Sequence, residues 1–346
     1  MPRTPTQQQL FAELMDRYGP EIAEAFLEAI RDLRSNVNLQ AFQGALERGD
    51  IEGAITALNL ETAAYEPLET VIRDAYLAGG RAGVRTMPGI GRLIVGFRFD
   101  VRNFRAEAWL RDHSSRLITS ILEEQRAAVR EALGAAMVVS QHPRTTALEI
   151  VGRVNRATGA REGGILGLSD PQRAALAKAK AELASGDPEQ LQNYLTRERR
   201  DRRFDRSITK AIREGQPVPA DVAAMAAERY GARLEQLRGE TIGRTEALTS
   251  LRAAKLESYE QLVQAGHVTA DQVQKVWKAS ADRRTRDTHA NLHGKVVGLR
   301  EPFRSISGAQ MMFPGDTSLG APAAEIVACR CDFAARINWR ALAGVS

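Results

Sequence analysis

The sequence predicts a mainly α protein, with an elongated helical N-terminal body and a small α+β module at the C-terminal end. Three observations carry this expectation. Alanine, leucine, arginine and glutamate abound while aromatic residues make up only 5% of the 346 positions, a composition that favours helix. Apolar residues recur at three- and four-residue spacing through most of the chain before Gly266. Beyond Gly266 that spacing gives way to short alternating runs, Pro/Gly-rich loops and the chain's 2 cysteines. With 43% hydrophobic residues the chain can bury real cores, and the expected division is 1–96, a helical N-terminal region, 97–266, a helical body, and 267–346, the α+β module.

The first helix is expected to open near Pro20, which suits a first helical turn, and to carry Ile22, Phe26, Ala29, Ile30 and Leu33 on one face. Asp50 is placed to cap a second helix bearing Ile51, Ile55 and Leu58. A third runs through Leu68, Val71, Ile72 and Tyr76 and is expected to stop at Gly79-Gly80. Residues 79–96, with six glycines and one proline, then read as a loop or hinge. No Gly-Lys-Ser/Thr follows Gly79-Gly-Arg-Ala-Gly83 and no strand precedes it, so it is not read as a phosphate cradle.

Phe97, Phe99 and Val101 alternate with charged residues and predict a short strand. From about Asn103 to Met137, Leu110, Leu117, Ile118, Ile121, Leu122, Val129 and Leu133 mark one long amphipathic helix. Shorter helices follow over 145–187, broken at Gly163-Gly164 and Ser169-Asp-Pro171, and two more are expected over 219–237 and 240–265. In the last module Val276-Trp-Lys-Ala reads as a strand and 284–293 as a short helix ended by Gly294. Val296-Val297 is a second strand and Ile326–Phe333 a third.

Several residues carry candidate chemistry. Positions i and i+4 share a helix face and i and i+2 share a strand face, so His289 would project with His293, and Cys329 with Cys331. Two imidazoles and two thiolates so disposed fit one tetrahedral zinc. The competing reading is a buried, hydrogen-bonded core without metal. The densest charge run, residues 197–206, offers Arg197, Arg199, Arg200, Arg202, Arg203 and Arg206 to phosphates or to a protein partner. Its interleaved Glu198, Asp201 and Asp205 favour a solvated or inter-subunit face over direct DNA contact. Glu246 is expected to pin the helical body to the C-terminal module by pairing with Arg284 or Arg286, unless it is simply a surface carboxylate.

His289, Glu246, Asp282 and Asp287 would compose an acid–base site for phosphodiester cleavage. No nucleophile elbow, paired-carboxylate metal motif or nuclease signature accompanies them, so no enzymatic activity is expected, and a metal-dependent nuclease is the least favoured reading. The zinc-deaminase words are also absent. A net charge of +5 permits nucleic-acid contact without establishing it. No apolar run of about 18 residues occurs, so no membrane partner is expected. The N-terminal residues lack an apolar stretch after their charge, so no secretory signal is expected either. Two cysteines one residue apart point to reduced thiols in a cytosolic setting.

Read in order, a set of short words resembles a known family. They are Arg202-Arg-Phe-Asp-Arg206, Ile242-Gly-Arg-Thr-Glu246, Trp277-Lys-Ala-Ser-Ala-Asp282 and Arg284-Thr-Arg-Asp-Thr-His289, then Leu292-His-Gly294, Phe313-Pro-Gly-Asp316 and Cys329-Arg-Cys331. Their order and spacing over roughly residues 200–333 resemble the head morphogenesis (minor head) proteins of tailed bacteriophages, typified by the F protein of phage Mu. Where relatives commonly carry an acidic residue, this chain has His293. The resemblance implies a low-copy virion component in the head interior near the portal vertex, acting in procapsid assembly in the host cytoplasm. Implied partners are the portal protein and the major capsid or scaffolding protein. Some relatives contact double-stranded DNA, so a non-sequence-specific DNA-binding protein that protects or guides the genome is the alternative. Others carry a toxin after the Cys-x-Cys word; only 15 residues follow it here, and no toxin cargo is expected.

Overall fold

The computed structural model describes residues 6–87, 96–280 and 282–338. It is mainly α with a small α+β C-terminal module. The helices are α1 (Gln7–Ser35), α2 (Leu39–Glu47), α3 (Ile51–Ala57), α4 (Glu66–Arg85), α5 (Phe104–Val138), α6 (Pro143–Val151), α7 (Asp170–Ala184), α8 (Pro188–Leu195), α9 (Asp205–Glu214), α10 (Ala220–Gln264), α11 (Asp287–Ala290) and α12 (Ala323–Ile326). The strands are β1 (Arg153–Val154), β2 (Arg161–Glu162), β3 (Val273–Lys278), β4 (Val296–Gly298), β5 (Phe303–Arg304), β6 (Gln310–Met311) and β7 (Asp332–Ile337). Among the described residues, no helix is long and apolar enough to cross a membrane.

The chain forms two compact units. The first gathers Met1–Ala25, Pro67–Ser115 and Glu240–Ser346; the second gathers Phe26–Glu66 and Arg116–Gly239. Neither unit is one consecutive stretch of chain, and α1, α5 and α10 each carry residues of both.

In the first unit, α4 explains the glycines that read as a stop. The helix runs through Gly79, Gly80 and Gly83, and a Cβ at Gly79 would lie 2.7 Å from the Leu251 backbone of α10. One at Gly83 would come within 2.7 Å of the Ser258 hydroxyl, and one at Gly80 would strike the Phe99 ring. Glycine inside a helix costs about 1 kcal/mol relative to alanine. Here it lets two helices approach backbone to backbone, and the packing gained offsets that cost. Gly243 does the same for α10 against α1, where an added Cβ would collide with the Gly19 carbonyl oxygen. Residues 88–95 of the expected hinge lie outside the described residues.

Three other expectations change. Pro20 sits inside α1 rather than in its first turn. Phe97–Val101 forms no strand; Asp100 is instead tied down by Gln261 of α10, whose side-chain oxygen accepts from the Asp100 N–H at 2.9 Å and whose amide donates to the Asp100 carbonyl at 2.8 Å. The helices expected over 219–237 and 240–265 are one continuous helix, α10.

The α+β module belongs to the first unit. Its three-stranded antiparallel sheet has the order β4–β3–β7, with Trp277 opposite Phe333 and Lys275 opposite both Val297 and Ala335. Trp277 is fully buried with Phe303, Phe313 and Phe333 in a core that also takes Tyr76, Leu110, Tyr259 and Leu262. The third strand begins at Asp332, later than the expected 326–333, so both cysteines precede it on an irregular segment.

The second unit packs α7, α8 and α9 around Leu176, Leu183, Leu191, Tyr194, Ile208 and Tyr230. Local sequence sets its helix starts. Ser169 and Gln172 form a capping box at α7, and Asp187 caps α8 just before Pro188. Asp50 caps α3 as expected, accepting the Gly53 N–H at 2.8 Å. Buried Arg34 bridges Glu235 at 2.8 Å and the Leu166 carbonyl at 2.5 Å.

Candidate metal centre

His289, Cys329 and Cys331 come together, each almost fully buried, with the imidazole nitrogen and both sulfurs within 4.8 Å of one another. His289 Nδ1 lies 3.4 Å from Cys329 Sγ and 3.5 Å from Cys331 Sγ. The geometry follows from local structure. The one-turn helix α11 holds the histidine, whose ring packs edge-on against Trp277 of β3 at 5.2 Å. The cysteines arrive on the turn after α12, where Ala328 adopts φ 52°, a left-handed conformation that bends the chain back. Thr245 of α10 holds that bend by accepting the Ala328 N–H at 3.0 Å.

The far side of the imidazole faces Glu325, with Nε2 2.8 Å from Oε2, a close contact whose alignment leaves Nε2 without a well-directed hydrogen bond. Burial opposes ionisation of Glu325. Hydrogen bonds from Ser307 and Thr288, together with His289, outweigh it and hold the carboxyl below its ordinary range. The two thiols are driven apart in acidity. A hydrogen bond from Cys331 drives Cys329 towards thiolate against the cost of burial, with help from His289 and the Arg252 charge. That bond and burial hold the proton on Cys331.

His293 does not join them. Because α11 ends at Ala290, the i+4 position falls in the following turn, where His293 is exposed and its Nδ1 accepts the Ala279 N–H at 3.2 Å. Of the four expected residues, the structure gathers three.

The expected pairing of Glu246 with Arg284 or Arg286 is also replaced. Glu246 Oε2 lies 2.6 Å from His113 Nε2, and the His113 ring stacks on Trp109, which stacks in turn on Tyr76. The Arg286 guanidinium donates to the Val327 carbonyl at 2.5 Å, and the Arg284 N–H is taken by Asp282. Asp282 itself forms a two-point ion pair with Arg330. Of the residues considered for acid–base chemistry, Glu246, Asp282 and His289 thus face three different partners, His113, Arg330 and Glu325, and Asp287 is exposed.

What pins the α+β module to the helices is a row on α10 that sequence reasoning missed. Thr245, Thr249, Arg252 and Lys255 recur every three or four residues and meet the module in turn. Thr249 donates to the Gly315 carbonyl at 3.4 Å. Arg252, buried, donates to the carbonyls of Pro314 at 3.0 Å and Cys329 at 3.1 Å. Lys255, fully buried, meets both Asp332 oxygens at 2.9 Å and lies over the Phe333 ring. Burial lowers its pKa while Asp332 opposes the shift. In the family words, Pro314-Gly-Asp316 and Cys329-Arg-Cys331 are thus the docking points for the helix that carries Thr245-Glu246.

The arginine run divides by role. Arg197 pairs with Glu182 at 2.8 Å, Arg200 with Asp205 at 2.9 Å and Arg203 with Asp201 at 2.6 Å, tying α7, α8 and α9 together. Arg199, Arg202 and Arg206 are exposed.

Residues 202–334 match the family model described as Phage Mu protein F like protein. The chain is also similar to the protein named Minor head protein GP7 of Bacillus phage SPP1, 29% identical over 127 residues, which are 36% of this chain and 38% of that relative. The match therefore spans well under half the length of the curated relative. No solved structure matches the chain. The resemblance read from the motifs is borne out over residues 202–334, the stretch that contains all of them.

Proposed function

We propose that this chain is a structural, non-catalytic minor head protein of a tailed bacteriophage or prophage. It would associate with the portal vertex inside the head and act in procapsid assembly. The observation that carries the reading is the coincidence between the matched stretch, 202–334, and a physically connected set of its motifs, in which the α10 row clasps the 314–316 and 329–332 loops. Docking to portal, scaffolding or major capsid subunits would bury apolar surface. At the end of α5, Val138 is 86% exposed and Val139 is 70% exposed, beside an exposed Met137.

Assembly in a host expressing the phage genes tests this. Deleting the gene should yield particles that fail to mature or infect, and the protein should stay on portal rings at high salt. Particles that fill and infect normally without it would end the proposal. A second reading, sequence-independent contact with packaged or ejected double-stranded DNA, is favoured by the exposed Arg199, Arg202 and Arg206. DNA retention that falls steeply with salt and weakens in R199A/R202A/R206A would support it; retention unchanged in that variant would remove it.

A further inference from the structure

We propose that His289, Cys329 and Cys331 bind one zinc ion, with Glu325 orienting the histidine and a water molecule in the fourth position. The spacing of the donors carries the argument. Tetrahedral zinc with Zn–N near 2.0–2.1 Å and Zn–S near 2.3 Å sets its nitrogen and sulfur ligands about 3.5 Å apart. His289 Nδ1 stands 3.4 and 3.5 Å from the two sulfurs. Two thiolates and an imidazole are soft and borderline donors, the set that selects zinc over magnesium or calcium. Two thiolates also neutralise the dication, so the ion enters this buried place without adding net charge.

The surroundings match a metal-binding histidine. A carboxylate on the ring nitrogen opposite the metal keeps the proton there and leaves the ligating nitrogen unprotonated. Glu325 stands at that nitrogen, 2.8 Å away, and is itself fixed by hydroxyl donors from Thr288, Ser305 and Ser307. Arg252 holds the Cys329 carbonyl and Thr245 the Ala328 N–H, so the Cys-x-Cys turn is fixed before any ion binds. Binding releases the thiol protons and all but one of the hydrated ion's waters to solvent, forms two Zn–S bonds and one Zn–N bond, and changes no oxidation state. This site does not depend on the assembly role proposed above.

The test is metal analysis of the full chain purified under reducing conditions, together with cobalt substitution. About one zinc per chain is expected, and less than about 0.2 would overturn the proposal. Cobalt in its place should give the intense near-ultraviolet thiolate charge-transfer band and the visible bands of tetrahedral coordination. A cobalt spectrum without the thiolate band would overturn it even if cysteine variants fail to fold. C329S/C331S should lose the ion and H293A should keep it; equimolar zinc retained in C329S/C331S would refute the site. E325Q should weaken zinc affinity about 10–100-fold with all three ligands present, and unchanged affinity would remove Glu325 from the proposal.

Discussion

Replacing Arg252 by methionine should be among the most damaging single substitutions in the first unit. The side chain is buried, and its guanidinium is the donor for the carbonyls of Pro314 and Cys329. Methionine retains most of the stem and its packing, so the loss is polar. Each buried carbonyl left without a donor costs about 1–3 kcal/mol. The two together should cost about 3–5 kcal/mol, partly relieved by removing a buried cation. Against a urea slope of about 3 kcal/mol per molar, a loss of about 4 kcal/mol moves the midpoint down by about 1.3 M. Tryptophan fluorescence is the suitable assay, because Trp109 and Trp277 both belong to the first unit. Lysine at this position carries the charge but lacks the fork needed for both carbonyls, so R252K should fall between wild type and R252M. A midpoint shift in R252M below about 0.3 M, or equal shifts in R252M and R252K, would refute the clasp.

Three further outcomes follow from packing and charge. G243A should lower the first unit's stability by about 1–3 kcal/mol, because its Cβ meets the Gly19 carbonyl across α1 and α10, and an unchanged denaturation midpoint would contradict that close approach. Burial lowers the pKa of Lys275 to about 8, against the stabilising charges of Asp316 and Glu260, so the unfolded chain holds the proton more tightly. Stability should therefore rise between pH 8 and 10 in the wild type more than in K275M, and identical slopes in urea titrations would dismiss the effect. In the second unit a hydrogen bond from Arg203 holds Asp201 down to about 2, so the stability it confers is present above the ordinary carboxylate range and fades as pH falls towards 2. The thermal-midpoint gap between wild type and D201N should narrow over that descent; a constant gap would show that the charge contributes nothing.

Much of the fold was legible because helices announce themselves through periodicity. Ile22, Phe26, Ile30 and Leu33 are all buried on α1, and Asp50 caps where its type and place indicate. The failures share a cause. Gly79, Gly80 and Gly83 carry breaker chemistry locally, and only contact with Leu251, Phe99 and Ser258 turns them into a packing face. Phe97–Val101 alternates like a strand, yet among the described residues no strand pairs with it, and Gln261 takes the Asp100 backbone groups instead. At the metal centre, the identities of His289 and of both cysteines were readable from residue type and spacing. The exclusion of His293 depended on where a one-turn helix ends, which periodicity does not specify. Glu325 and Arg252 carried a weaker signal: an acidic residue shortly before Cys-x-Cys, and a polar row, Thr245, Thr249, Arg252 and Lys255, at helical spacing.

The boundaries of the two units cut across the stretch that carries the family motifs. Residues 202–239 lie in the second unit, while the remainder shares a core with Tyr76, Ala106 and Leu110 from α4 and α5. A recombinant fragment trimmed to 202–334 would leave the apolar flank of its sheet and α10 bare to solvent, inviting self-association. Transplanting the motif-bearing segment into another chain meets the same constraint: the host must supply helices shaped to receive that flank, so the segment and its upstream helices travel only as a matched set.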